Sequence, residues 1–133
     1  MNNLYDILNV KKIDIESTIK NSIAEVTKEL KNLGRERTCF IYTSYLYDNL
    51  KNKNILCYIV DTKEDMNSEY QHRFIIVPKD ENHNYIIDLT IRQFGHNNLF
   101  DNLENQGYQL LNKEEFKEYF NFVTVNNKTN LKK

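Results

Sequence analysis

Three side chains in this sequence are of the types that thiol chemistry needs: Cys39, His72 and Asp88. Cys39 opens the apolar run CFIYTSYLYDNL, and Thr38 before it is a suitable N-cap, so the spacing predicts Cys39 in the first turn of a helix. There the helix dipole and the unpaired backbone N–H groups favour the thiolate over the thiol, which makes it the better nucleophile. His72 begins the strand-like run HRFIIVP, where the ladder fixes its backbone and its ring is expected to project accessibly over the end of a sheet. Asp88 interrupts the next apolar run, NYIIDLT. Cross-strand neighbours have β-carbons about 5 Å apart, so with the hairpin closing near Asp80 to His83, the two residues come out nearly opposite and within reach of a carboxylate–imidazole hydrogen bond.

An acid within an apolar strand either faces solvent or pairs with something specific, and both readings stand at this level. Strict alternation puts Ile86, Asp88 and Thr90 on one face, with Tyr85, Ile87, Leu89 and Ile91 on the other. The second cysteine, Cys57, lies inside ILCYIV and reads as a small buried hydrophobe. His83 in the hairpin turn and His96 after Gly95 read as solvated surface residues. Cys39, His72, His83 and His96 lack the short ligand spacings common in zinc sites, so no metal is assigned, and no cofactor.

The elements that must position these groups are a set of helices and an antiparallel sheet. Ile15, Ile19, Ile23, Val26 and Leu30 recur at the spacing of a one-sided helix over 13–34, closed by Gly34. The helix from Cys39 to about Asn52 has apolar residues around most of its cylinder and is placed at the centre of the fold. Strands are expected at 55–62, 72–78 and 84–90, the last two joined as a hairpin by KDENH. HNNLFDNLENQG is irregular or briefly helical, and YQLL adds a short edge strand. Asn112 and Glu115 have the spacing of a capping box, which starts a last helix over Lys113 to Phe120. This gives an α+β fold with a single catalytic-type domain over 1–125 and a disordered polar tail over 126–133.

Composition narrows the partners. A chain of 133 residues forms one domain that buries about two-thirds of its unfolded surface. With 40% hydrophobic and 28% charged residues it falls among folded soluble proteins. Eighteen basic against nineteen acidic side chains leave no cationic excess to neutralise phosphates, which argues against nucleic acid. No stretch has the length of a membrane span, and the N-terminus lacks a signal-peptide layout. As written the chain reads as cytoplasmic; cut from a larger effector or toxin, it would be secreted or delivered.

Cysteine before a helix, histidine at a strand start and aspartate on the next strand, with HRFIIV followed by YIIDLTIRQFG, resembles the papain-like and transglutaminase-like superfamily of cysteine hydrolases. More narrowly, it looks like the H-x-h-h…D-x-T-x-x-Q-F pattern of small bacterial members, with h an apolar residue, and the resemblance covers residues 38 to 95. The resemblance implies a helix that starts at the nucleophile and packs on an antiparallel sheet, with Cys39 as nucleophile, His72 as general base and acid, and Asp88 orienting the imidazole. Phe74 stands where many members carry tryptophan, and GRERTC lacks the glutamine that papain-type proteases place before the cysteine. Gln93 and Gln71 are the candidates for the missing oxyanion donor. The implied activity is amide hydrolysis, glutamine deamidation or acyl transfer on a protein or peptide substrate, three outcomes that share the same residues. The opposing reading is a non-catalytic protein-binding module, such as an immunity or adaptor protein.

Overall fold

The computed structural model describes residues 15–31, 38–62 and 72–131, the side chains of 38–40 and 125–131 excepted. Gly34 and Gln71 lie outside the described residues. The first helix, α1 (Ile15–Glu29), buries Ile19, Val26 and, just past its end, Leu30, as the periodicity predicts. Helix α2 (Thr38–Asn52) follows, and Thr43, Leu46 and Leu50 make one buried stripe along it. A left-handed Asn54 (φ 64°) ends that segment, with the Ile55 N–H bonded to the Leu50 carbonyl at 3.0 Å.

Four strands form one antiparallel sheet in the order β1-β2-β3-β4: β1 (Tyr58–Asp61), β2 (Arg73–Pro78), β3 (His83–Ile87) and β4 (Tyr108–Asn112). The edge strand expected from YQLL is β4. Strand β1 is shorter than the expected 55–62, and Cys57 just before it is buried in the core. The β2–β3 hairpin turns over Asp80, whose carboxylate accepts the Asn82 N–H at 2.8 Å, an Asx turn. Between β3 and β4 run two 3-10 turns (Ile91–Phe94 and Asn98–Phe100) and the short helix α3 (Asp101–Gln106).

Helix α4 (Lys113–Leu131) opens with the predicted capping box: the Asn112 side chain accepts the Glu115 N–H at 2.8 Å and the Glu115 carboxylate accepts the Asn112 N–H at 2.9 Å. It runs well past Phe120. Helical backbone continues to Leu131, because extending a nucleated helix costs little even through polar residues.

The sheet, and not α2, is the central layer. Ile75, Val77, Tyr85, Ile87 and Tyr108 pack with Ile19, Val26, Leu46 and Leu50 of α1 and α2. On the opposite face Phe74, Ile86 and Leu111 pack with Phe94, Phe100, Leu103, Tyr119 and Val123. Helix α2 therefore lies on one side, with Ile41 and Tyr45 exposed. Coverage of both faces is why Tyr85, Ile86 and Ile87 are all buried in succession. A serine under this packing needs partners, and buried Ser22 of α1 donates to Asn49 at 2.7 Å while accepting from Lys53 at 3.1 Å. Among the described residues no helix is long and apolar enough to cross a membrane.

Gly107, at φ 87°, ends α3 by returning its N–H to the Leu103 carbonyl, and its own carbonyl accepts the Asp88 N–H at 2.9 Å. A β-carbon there would come 2.5 Å from the Leu89 Cδ2. Gly107→Ala is therefore expected to lower the free energy of unfolding by about 1–2 kcal/mol in a denaturant titration; an unchanged midpoint would contradict the left-handed assignment.

Candidate active site

His72 immediately precedes β2, and buried Thr62 at the end of β1 clamps its backbone. The Thr62 N–H donates to the His72 carbonyl at 2.9 Å and the His72 N–H to Thr62 Oγ1 at 3.0 Å. Strand alternation turns the ring to the same side as Phe74, so it tucks against that layer. Phe94 meets it edge-on at 4.6 Å between centroids, and Phe74 lies at 6.2 Å. The expected accessible ring is thereby corrected: the His72 side chain is 0% exposed. The apolar α4-side layer extends to the end of the sheet and encloses it.

Asp88 does not sit directly across from His72. The β2–β3 ladder ends at Ile75↔Ile87, and one further step would set Asp88 opposite Phe74. The chain instead leaves β2 after Ile87 while staying bonded to the β4 side through Gly107. From that position the carboxylate reaches His72 diagonally, with Oδ2 2.6 Å from Nε2. The solvent-facing reading of Asp88 is excluded, since the residue is 3% exposed.

A buried carboxylate is costly without donors, and Asp88 has four. Oδ2 accepts from His72 and from the Tyr119 hydroxyl at 2.5 Å; Oδ1 accepts from the Thr90 N–H at 3.0 Å and the Thr90 hydroxyl at 3.3 Å. Complete burial, then the Asp88 charge and hydrogen bond, push the Tyr119 phenol well above its ordinary value, so it remains a donor. With the carboxylate on Nε2, that nitrogen carries the shared proton and Nδ1 is left as the basic atom. Gln93 lies beside it, its amide nitrogen 3.4 Å from Nδ1 and donating to Thr90 Oγ1 at 3.2 Å. Asp88, His72, Gln93 and Thr90 thus close a loop of polar contacts.

Cys39 is the second residue of α2, so its backbone lies in the predicted first turn; its side chain lies outside the described residues. One turn further on, about 6 Å along the axis, the Thr43 hydroxyl reaches the carbonyl of Arg73, the neighbour of His72, at 3.4 Å. That contact sets the start of α2 beside the chain that carries the histidine. Cys57 is buried, as expected of a small hydrophobe, and that burial pushes its thiol up.

Sequence reasoning missed Tyr119 and left Thr90 without a role. Thr90 follows Asp88 by two residues, the Asx-turn spacing, which is a usable local signal. Tyr119 is 31 residues from Asp88, and its spacing from Phe116 and Val123 signals only a core face. His83 is half-exposed and pairs with Asp80 at 3.0 Å. His96 belongs to the one group among the described residues whose ligand atoms lie within 4.8 Å, with Asp101 and Glu104. Both of its ring nitrogens already face acceptors: Nε2 meets Asn98 Oδ1 at 2.8 Å and Nδ1 meets Glu104 at 2.7 Å. Both ring nitrogens are therefore engaged by side-chain oxygens within the group's own surroundings.

The chain has no match among protein-family models, curated proteins or solved structures.

Replacing Tyr119 with phenylalanine takes one of the four donors from the buried carboxylate and is expected to cost about 1.5–3 kcal/mol of stability by denaturant titration. A loss under about 0.5 kcal/mol would mean the phenol adds nothing to Asp88. For His96, the Asn98 hydrogen bond and then Glu104 raise the pKa, so its stabilising contribution is fully present below the unfolded value and lost as pH rises through the folded one. Glu104→Gln should move the His96 midpoint down in an NMR titration; an unmoved midpoint would remove Glu104 as a cause.

Proposed function

We propose that the chain is a cysteine-dependent amide hydrolase or acyltransferase acting on a protein or peptide, with Cys39, His72 and Asp88 as its catalytic set. The carrying observation is the buried Asp88–His72 hydrogen bond, which directs Nδ1 of His72 away from the carboxylate as a base on a clamped backbone. In this reading His72 Nδ1 takes the Cys39 proton, and the thiolate attacks the amide carbon while the C=O electron pair moves onto oxygen. The backbone N–H of Cys39 and the Gln93 amide donate to that oxyanion. Collapse of the tetrahedral species breaks the C–N bond. The amine leaves with the proton from His72, and a thioester remains on Cys39. Water attack regenerates the thiol and releases the acid, whereas an amine yields transfer. Asp88 stabilises the imidazolium, and Tyr119 and Thr90 position Asp88.

A non-catalytic binding module is the second reading. It draws support from the complete enclosure of His72 and the saturation of Asp88, which would equally serve a structural polar core.

Iodoacetamide labelling followed by intact mass across pH separates the two. The catalytic reading predicts alkylation of Cys39 well below the ordinary thiol range near about 8.5, slowed more than about tenfold in His72→Ala. Cys57 should stay unlabelled in the folded protein. Labelling of Cys39 only as an ordinary thiol, with no dependence on His72, would leave the binding-module reading in place. Cys39→Ala should abolish any amide-bond activity, and Asp88→Asn should lower it by about 100-fold or more.

A further inference from the structure

A cleft of about 540 Å³ opens beside the network just described. Thr90 and Gln93 lie in its wall, and so does Tyr42 of α2, three residues after Cys39 in the chain. The cleft is thus continuous with the groups that surround Nδ1 of His72.

Its lining is divided by depth. Leu103 and Ile91 are buried and Leu89 and Tyr42 half-buried, which makes an apolar interior, while Arg92 and Gln93 are exposed at the mouth. The volume suits a short peptide segment, since pockets of about 300–1,000 Å³ enclose ligands of that size. Two charged residues line it. Glu104 is answered by His96 at 2.7 Å, whereas among the described residues no carboxylate pairs with Arg92. The unanswered charge at the cleft is therefore a guanidinium, a donor fork suited to carboxylate oxygens.

Resting on the thiol reading above, we infer that this cleft selects an acidic peptide segment, with an apolar side chain seated against Tyr42 and Leu89 and a carboxylate meeting Arg92. An apolar interior alone would take many peptides. Arg92 supplies the discrimination, by attracting a carboxylate and repelling a lysine at the same position.

Two affinity labels test this against a small one. Cys39 is alkylated with iodoacetamide, with iodoacetyl-leucyl-glutamate amide and with iodoacetyl-leucyl-lysine amide, and second-order rates are read by intact mass at one pH and low ionic strength. The acidic label should react roughly fivefold faster than the basic one, the scale of a single exposed ion pair. Arg92→Glu should reverse the order. Equal rates for the two peptides in the wild-type protein, with iodoacetamide still fast, would overturn the acidic-peptide assignment and leave the thiol reading standing. Slow iodoacetamide labelling of Cys39 would overturn both.

Discussion

The constraint on which the site depends is a carboxylate enclosed in an apolar layer. Removing an ionised carboxylate from water costs several kcal/mol, and the cost is tolerable only when its oxygens are met by well-placed donors. Asp88 is met by an imidazole from the start of β2, a phenol from α4, and an amide and a hydroxyl from the turn that follows β3. The four donors come from three parts of the chain, two of them from Thr90, so the pair is complete only once α4 and the turn after β3 are packed against the sheet. Removing one donor weakens the arrangement; removing the carboxylate would leave the buried imidazole and phenol with unmet hydrogen-bonding groups.

The fold delivers those donors by breaking its own regularity. Had β3 continued along β2, Asp88 would have lain directly opposite Phe74 and diagonal to His72. The departure at Ile87, held by the Gly107 carbonyl, lets the carboxylate reach the ring while the 3-10 turn brings Phe94 and Gln93 against it. Phe94 closes the ring off from water on one side. On the other, the polar loop through Gln93 and Thr90 leads into the cleft bordered by Tyr42 of α2. The ring is thus fully enclosed, with Gln93 the polar group between it and the cleft.

Much of this was legible in the sequence because its signals are local. The α1 apolar spacing, the KDENH hairpin and the Asn112–Glu115 capping box each depend on residues close in the chain or on one two-stranded register; the hairpin also made the nearness of His72 and Asp88 readable, though not their diagonal arrangement. What was not legible depends on the other layer of the molecule. The apolar surround of α2 suggested a central helix, because periodicity counts apolar residues and cannot tell a partly exposed Ile41 or Tyr45 from a buried one. The length of α4 past Phe120 was hidden by its polar composition. Tyr119 was invisible as a donor since nothing in its neighbourhood differs from a core stripe, and the closure of His72 followed from Phe94, twenty-two residues away by number.

The central claim is that Asp88 fixes His72 so that Nδ1 and the Cys39 thiol share one proton. Nitrogen-15 NMR of the imidazole, recorded with a carbon-13 label on the Cys39 β-carbon, measures both groups in one titration. The account predicts Nε2 protonated throughout, with Nδ1 losing its proton at the same midpoint at which Cys39 gains or surrenders its charge partner. An imidazole protonated on Nδ1 when neutral, with Cys39 titrating independently in the ordinary thiol range, would contradict it.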